Sequence, residues 1–221
     1  FFSEKREVVE FSEIPKLVLD ATTVTEDRTF WENQGVDLMA TLSALAQDVG
    51  GSGDRGGGST ITQQLVRARL LPKDLVADPD RIYERKAKEI IQSYKLTQAY
   101  PGEAGKERII AAYLNQIFYG HNAYGIKAAA KAYFGAELHC RPDKLESGDC
   151  KELTIAQAAL LAGLPQSPSV FDPYRYATKG EYVENGKTKK SDYVVRNCDA
   201  VNAPDPCTNL QIVTRRNFII D

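Results

Sequence analysis

A pair of adjacent carboxylates, Glu26 and Asp27, opens the stretch EDRTFWENQG, in which Phe30 and Trp31 follow closely. A carboxylate with an ordinary pKa of about 4 is ionised near neutrality, so it can accept the proton of an attacking hydroxyl group. A solvated helix end would carry the same two acidic residues. The stretch is therefore a candidate for general-base chemistry, and the surrounding elements decide between these interpretations.

A set of basic residues lies downstream, in the segments QQLVRARLL and RKAKE. Arg67 comes from the first segment, and Arg85, Lys86 and Glu89 come from the second. Arg85 and Glu89 are four residues apart, so they share one face of a helix. Fixed cations stabilise negative charge that develops on a leaving group, which favours these residues as an anion site. Solvated helix charges are the alternative interpretation.

A glycine-rich segment, DVGGSGDRGGG, runs directly into STITQQLVRARLL, where Thr60 and Gln63 have the spacing of a helix capping box. The glycines are typical of a flexible connector or a mobile loop. A helix that starts here presents free backbone N–H groups and the positive end of its dipole, which suits phosphate oxygens. The GK[ST] of a Walker loop is missing, and a plain helix cap is the alternative.

Helical periodicity dominates the chain, with little strand alternation, and this predicts a mainly α fold. An amphipathic helix over residues 14–25 would hold Glu26 and Asp27 at a helix–loop junction. Residues 36–49 predict either a core helix or an interfacial helix that lies against lipid. Further helices are predicted at residues 81–94, 107–120, 122–135 and 154–163, the last with a second capping box at Thr154 and Gln157.

The length, composition and net charge of the chain argue against some classes of function. At 221 residues with 43% hydrophobic content, the chain can form one large or two small domains. A net charge of -2 argues against a general nucleic-acid binder. The sequence has neither an apolar run of about eighteen residues nor a signal-peptide pattern. The abrupt opening at Phe1 and Phe2 suggests the stub that follows a membrane anchor.

The four cysteines form two sequence-local pairs. Cys140 and Cys150 bracket one polar stretch, and Cys198 and Cys207 bracket a second. Local pairing is the simplest arrangement, although four cysteines allow three connectivities. Two short-loop disulfides imply an oxidising, extracytoplasmic setting. A zinc site is the alternative, but neither pair has the tight CxxC spacing.

The ordered set of motifs resembles the family 51 glycosyltransferases, the peptidoglycan polymerases of class A penicillin-binding proteins and monofunctional transglycosylases. Five motifs follow the order of that family: EDRTFWENQG, GGSTITQQ, RKAKE, KERIIAAYLNQIFYG and RRNFII. Their joint occurrence is far more specific than any single motif. The resemblance covers residues 15–175 and 215–220, and it leaves the N-terminal edge and a surface insertion at residues 178–214 unmatched.

One residue departs from the family pattern, because Asn33 stands where the first motif usually carries a histidine. The histidines of this chain, His121 and His139, lie elsewhere in the sequence. The family assigns the base role to the first glutamate of the motif, which is Glu26. The resemblance therefore still implies an enzyme.

The activity that the resemblance implies is inverting glycosyl transfer, which polymerises lipid II into β-1,4 glycan strands and releases undecaprenyl pyrophosphate. Glu26 would be the base, and Glu89 would orient the cations or the donor. The residues expected to bind substrate are Asp27, Ser59, Thr62, Gln63, Gln64, Arg67, Arg85, Lys86 and Asn115. No cofactor is required and no metal-ligand cluster is evident, although a divalent cation, Mg²⁺ or Mn²⁺, would assist at the pyrophosphate.

The implied architecture is a lysozyme-like helical fold, with residues 1–221 as a single glycosyltransferase domain. A large globular lobe would carry a smaller, mobile, membrane-facing lobe that includes residues 36–58. The expected partners are lipid II, the growing glycan strand and the membrane surface, with moenomycin as inhibitor and no nucleic acid. The expected location is the extracytoplasmic face of the bacterial plasma membrane, with an anchor helix upstream of residue 1.

Two alternatives of different kinds stay open at this point. A lysozyme-like lytic hydrolase would also use a glutamate in a helical cleft, but the nearby cations favour a pyrophosphate leaving group over a sugar alkoxide. An inactive domain that binds lipid II or glycan is consistent with Asn33.

Overall fold

The computed structural model describes residues 7–37, 58–173, 178–184 and 187–194. These residues are mainly α, as the sequence predicts, and two strands pair at the end of the described chain. The helices are α1 (Lys16–Glu26), α2 (Ile61–Arg69), α3 (Lys73–Ala77), α4 (Ile82–Ala99), α5 (Gly102–Gln116), α6 (Ile126–Phe134), α7 (Pro142–Glu146), α8 (Ile155–Gly163) and α9 (Pro168–Phe171). Short 3-10 helices lie at Phe11–Glu13, Pro79–Arg81 and Leu164–Gln166.

Helix α5 lies in the hydrophobic core. Its buried face is formed by Ile109, Ile110, Tyr113 and Leu114, and it packs against α2, α4 and α6. Helix α1 buries an apolar face of its own against α8. Burial of apolar surface stabilises a fold by about 25 cal/mol per Å². The packed faces of α1, α2 and α5 therefore hold the end of α1 in a fixed place.

Both predicted capping boxes are confirmed. Thr60 accepts a hydrogen bond from the Gln63 N–H at the start of α2, and Thr154 does the same for Gln157 at the start of α8. In each case the glutamine side chain also accepts from the backbone N–H of its threonine. Each box satisfies two N–H groups that a helix start otherwise leaves without a partner.

The prediction of a helix to Gly120 is wrong at that end, because α5 stops at Gln116. Ile117 adopts an extended backbone with ψ of 145°, and the chain then reverses so that Phe118 bridges Tyr124. The next helix, α6, ends at Gly135 as predicted, since this glycine adopts the left-handed conformation with φ of 60°.

A β-hairpin occupies part of the segment that the sequence predicts as a surface insertion. Strand β1 (Thr178–Glu184) pairs antiparallel with β2 (Lys187–Val194), and Glu184 lies opposite Lys187. An Asn-Gly pair follows β1 in the sequence, and this pair between strands is a strong hairpin signal that helical periodicity does not register.

The first predicted disulfide is present, joining Cys140 to Cys150. The second pair, Cys198 and Cys207, lies outside the described residues, as does most of the 36–58 segment and the motif RRNFII. Within the described part of the chain, no helix combines the length and the apolar character that crossing a bilayer requires.

Helix α4 turns an unusual, polar side toward the protein interior. Its buried residues are Glu89, Ser93 and Thr97, which recur every four positions along one face. Gly35 packs directly on this face: it has φ of 85°, and a Cβ added to it would lie 2.5 Å from the Ser93 carbonyl oxygen. The loop that follows Asp27 is thereby fixed against α4.

We expect Gly35→Ala to lower the free energy of unfolding by about 2–4 kcal/mol, since it adds both backbone strain and a steric clash. Gly135→Ala is the matched control, because its φ is also positive but nothing lies within 4 Å of the added Cβ. That variant should lose only about 1 kcal/mol. Urea unfolding of both variants measures the difference, and equal losses would show that Gly35 makes no close contact with α4.

Candidate active site

Glu26 is the last residue of α1 and lies half-buried at the junction with the following loop. Its carboxylate accepts a hydrogen bond of 2.7 Å from the side-chain amide of Gln64 on α2. The oxygen of that amide accepts in turn from the hydroxyl of Tyr113 on α5, at 3.2 Å. The ionised Glu26 carboxylate can only accept, so it requires the N–H end of the Gln64 amide, and the Tyr113 hydroxyl then donates to the oxygen end.

Asp27 has a different environment, because it is buried. Its carboxylate accepts hydrogen bonds from the Asn33 amide at 2.9 Å and from the Ile61 backbone N–H at 3.1 Å. Burial raises the pKa of Asp27 above its ordinary value, while Asn33, Ile61, Lys106 and Thr29 oppose that rise. Asp27 thus caps the positive end of α2 from inside the protein.

This contact bears on the expectation that the start of α2 binds phosphate. The Ile61 N–H already donates to Asp27, and the Gln63 N–H donates to Thr60. Two first-turn donors are therefore satisfied by the protein itself, which favours a structural cap, the alternative that the sequence left open.

Asn33 connects Asp27 to Lys106. Its amide nitrogen donates to Asp27, and its amide oxygen accepts from the Lys106 ammonium at 3.2 Å and from the Gly35 N–H at 2.9 Å. A neutral imidazole also offers one donor and one acceptor, so an asparagine can supply the same pair of contacts as a histidine. Neither contact requires a proton acceptor that titrates.

Glu89 lies at the centre of a cluster of cations and has a fully buried side chain. Arg67 donates two hydrogen bonds to its carboxylate, at 2.6 and 3.0 Å. Arg85 and Lys86 approach the same carboxylate at 3.5 Å each. The three cations are partly exposed, between 22% and 34% of each side chain, whereas Glu89 is not. One negative charge faces three positive charges, so the cluster carries a net charge of +2.

Two details show that this cation cluster is held in place. The Lys86 ammonium donates to the Ser59 hydroxyl at 2.6 Å, which ties α4 to the residue before the cap of α2. Burial lowers the pKa of Lys86, while Glu89 opposes that effect and Arg67 and Arg85 add to it. The Nε atom of Arg85 is buried and lies 3.5 Å from the Glu89 carboxylate, so this side of the guanidinium faces Glu89.

Helix α2 carries contacts to both carboxylates. Gln64 donates to Glu26, and Arg67 donates to Glu89. Residues three apart lie on the same side of a helix, so one rigid element sets the Glu26 carboxylate and the Glu89 cluster relative to one another. This is the arrangement in which a base and an anion site can act on one substrate.

Three of the residues expected to bind substrate are buried inside the protein. Thr62 and Gln63 have no exposed surface, so their side chains pack inside the protein and do not face a ligand. Asn115 is also buried: its side chain accepts from the Val9 N–H and donates to the Val9 carbonyl oxygen. We therefore revise these three residues from substrate contact to structural support.

Two residues of the site were not singled out from the sequence, namely Tyr113 and Lys106. Both lie in the segment KERIIAAYLN, where Tyr113 fits the buried stripe of a core helix and Lys106 fits an exposed helix start. Nothing in the local sequence distinguishes core packing from the contact of Tyr113 with Gln64, or an exposed helix start from the contact of Lys106 with Asn33.

A metal site does not emerge from the described residues, in which no three His, Cys, Asp or Glu side chains come together. The oxygens of Glu89 face Arg67, Arg85 and Lys86, so this carboxylate is a counter-ion for side chains. Assistance by a divalent cation stays a prediction.

The described residues form a mainly helical domain, and comparison with known proteins gives its family. Residues 1–197 match the family model described as "Transglycosylase", so the chain belongs to the transglycosylase family. The match includes the N-terminal edge and part of the 178–214 segment, which the motifs left unassigned. It ends before RRNFII, so that motif is not part of the match.

Relatives of known name support the assignment. The chain is 35% identical to penicillin-binding protein 1F of Bacillus subtilis over 81% of its own length and 22% of the relative. It is 37% identical to penicillin-binding protein 1A of Aquifex aeolicus, over 77% of the chain and 20% of the relative. It is 39% identical to penicillin-binding protein 1A of Mycolicibacterium smegmatis, over 75% and 19%. The chain thus spans about a fifth of these proteins.

We expect Lys106→Met to lower the free energy of unfolding at pH 7 by about 3 kcal/mol, because the buried charge of Asp27 loses its cation. The loss should shrink toward pH 4. Burial already raises the pKa of Asp27 above 3.8, and removal of Lys106 raises it further. When the folded-state pKa exceeds the unfolded one, stability falls as pH rises between the two values.

Urea unfolding at pH 4 and pH 7 measures this effect. Lys95→Met is the control, because Lys95 is an exposed residue of α4. The control should change stability little at either pH. An equal loss for Lys106→Met at both values would mean that Lys106 does not compensate Asp27.

Proposed function

We propose that this chain is a peptidoglycan glycosyltransferase that joins lipid-linked disaccharide units into β-1,4 glycan strands. The observation that carries the proposal is the placement of two chemically different sites on one helix. Gln64 of α2 contacts the half-buried carboxylate of Glu26, and Arg67 of α2 contacts the Glu89 cluster. A base on one side and fixed cations on the other suit attack by a hydroxyl on a donor whose leaving group is an anion.

The bond-making step uses Glu26. The acceptor's 4-hydroxyl attacks C1 of the donor, its proton passes to the Glu26 carboxylate, and the new C1–O4 bond forms. The bond between C1 and the pyrophosphate oxygen breaks at the same centre with inversion, so an α-linked donor gives a β-1,4 bond. The hydrogen bond from Gln64 keeps Glu26 oriented for this proton transfer.

The bond-breaking step uses the cations around Glu89. The leaving pyrophosphate takes the electron pair of the broken bond and needs positive charge instead of a proton. The cluster of Arg67, Arg85 and Lys86 offers that charge in a fixed arrangement, because Glu89 holds the three side chains together. Preorganised charge of this kind needs little rearrangement during the reaction.

The geometry favours this function over a lytic hydrolase. A hydrolase cleaves a bond between two sugars, and the leaving sugar oxygen needs a proton from a nearby carboxylic acid. Glu26 could supply that acid, but the fixed cations around Glu89 suit a leaving group that departs as an anion, which a protonated sugar oxygen does not. Asn33 does not argue for an inactive binding domain either, because its contacts to Asp27 and Lys106 are those of a positioning residue.

The wider setting is part of the same proposal. Lipid II and the growing glycan strand are the substrates, moenomycin is the expected inhibitor, and the chain acts at the membrane surface on the extracytoplasmic side. The chain is proposed to act as a single glycosyltransferase domain. The disulfide between Cys140 and Cys150 supports an oxidising compartment.

We expect Glu26→Gln to slow lipid II polymerisation by about a hundredfold to ten-thousandfold, because glutamine keeps the shape of the side chain but cannot accept the proton. Asn33→His should change the rate only modestly, since either side chain can link Asp27 to Lys106. Lipid II consumption measures both rates, with a cooperative melt as the check on folding. The matched control is Glu84→Gln, a change at an exposed glutamate that pairs with Arg81 and Lys88.

Polymerisation at the wild-type rate by Glu26→Gln would remove Glu26 from the base role. An inert wild type that becomes active as Asn33→His would instead identify the natural chain as a binding domain.

A further inference from the structure

A cavity of about 480 Å³ opens beside the loop that follows Glu26, and the proposed mechanism does not use it. Its lining residues come from the loop after α1, the end of α4 and the start of α5: Trp31, Glu32, Asn33, Gln34, Thr97, Gln98, Pro101, Gly102, Glu103 and Lys106. We call it the Trp31 cavity. Neither Glu26 nor Glu89 is among these residues. Its volume lies within the range of small-molecule sites, roughly 300–1,000 Å³.

The aromatic wall of the cavity is held rigidly. Trp31 is 42% exposed, and its ring packs edge-on against the buried ring of Phe30, with centroids 5.0 Å apart. The Lys106 ammonium lies 4.7 Å from the centroid of the same Phe30 ring. Phe30 therefore sets the positions of both Trp31 and Lys106. An indole surface that is fixed and open to solvent can receive a flat, apolar group without a large ordering cost.

The polar wall offers both hydrogen-bond donors and acceptors. The Gln98 amide nitrogen donates to the Gln34 amide oxygen at 3.0 Å. This bond holds the two amides together and does not use the Gln34 nitrogen or the Gln98 oxygen, which are a donor and an acceptor. Lys106 is buried on the opposite side, and its ammonium, with three donors, gives one hydrogen bond to Asn33 among the described contacts.

The charges select a neutral ligand. The titratable residues among the described lining are Glu32, Glu103 and Lys106, which together carry a net charge of -1. Lys106 is also engaged with Asp27. A phosphate or a carboxylate would be repelled here, in contrast to the cation cluster around Glu89. A lipid chain would leave the amides and carboxylates of the wall without water or partners.

The ligand must match an aromatic wall, a polar wall and a lining with a net negative charge. An N-acetylated sugar ring does so, since it has an apolar C–H face, a rim of hydroxyl and amide groups, and no charge. We propose that the Trp31 cavity is a saccharide subsite that binds an N-acetylhexosamine residue of a glycan strand, with the sugar face on Trp31 and its polar groups on Gln34 and Gln98. This inference rests on the proposed function for its choice of glycan. The cavity wall includes Asn33, which donates to Asp27, and Lys106, which donates to Asn33, so a bound sugar would lie beside the loop that follows Glu26.

The chain offers a direct reporter, because Trp31 is its one tryptophan. The probe is a tetramer of β-1,4-linked N-acetylglucosamine, added to the whole chain while tryptophan emission is recorded. We expect a saturable change in emission and protection of Trp31 from acrylamide quenching. Inorganic pyrophosphate at the same concentrations should leave the emission unchanged.

Two variants of the same type on the same helix test the location. Gln98→Ala removes an amide of the cavity wall and should weaken tetramer binding about threefold to tenfold, the range for loss of one hydrogen bond. Gln92→Ala is the matched control, because Gln92 is an exposed residue of α4 that does not line the cavity, and it should bind as the wild type does. Trp31→Ala should lose the saturation-transfer NMR signal from the tetramer.

Three results would overturn the subsite. They are an unchanged emission at every tetramer concentration in a folded protein, equal weakening by Gln98→Ala and Gln92→Ala, or a stronger response to pyrophosphate than to the tetramer. Lipid II polymerisation by the same wild-type sample reports the proposed function independently. Polymerisation without tetramer binding removes the subsite alone, and tetramer binding without polymerisation supports the subsite while contradicting the proposed function.

Discussion

The carboxylate of Glu89 has no exposed surface, so its charge has to be met from inside the protein. An ion removed from water costs several kcal/mol unless partners compensate it. Arg67 from α2 and Arg85 and Lys86 from α4 supply that compensation, which ties the two helices together at one point. The same contacts orient three cations whose outer surfaces stay accessible. One buried charge thus both fastens two helices and sets the positions of the cations that we propose as the anion site.

Three acidic residues near α2 have three different roles because their surroundings differ. Asp27 is buried and caps α2 through the Ile61 N–H, whereas Glu89 is buried among cations. Glu26 is half-buried and accepts from Gln64, an amide that carries no charge. The proposed function assigns Glu26 the role of the base. The rigid packing of α2 on α4 and α5 preserves this division.

Local patterns in the sequence predicted the local structure well. The capping boxes at Thr60 and Thr154 and the helix end at Glu26 depend on neighbouring residues alone, so sequence spacing reveals them. Contacts between distant residues were not predictable in this way. Lys106 meets Asn33 across 73 positions, and Asn115 meets Val9 across 106 positions. The packing of α5 in the core determines which residues these two side chains meet. The hydrophobic periodicity within a single segment carries no information about that packing.

The central claim is that the Glu89 cluster binds a pyrophosphate through fixed cations. Calorimetric titration with a short-chain isoprenoid pyrophosphate tests it most directly, in the wild type, Lys86→Met and Lys88→Met. Both lysines belong to the segment RKAKE, but Lys86 faces Glu89 while Lys88 is exposed and pairs with Glu84. The account predicts one bound ligand per chain, about tenfold or greater weakening by Lys86→Met, as for loss of a charge-assisted contact, and wild-type affinity in Lys88→Met. Equal weakening by both variants, or none by Lys86→Met, would contradict it.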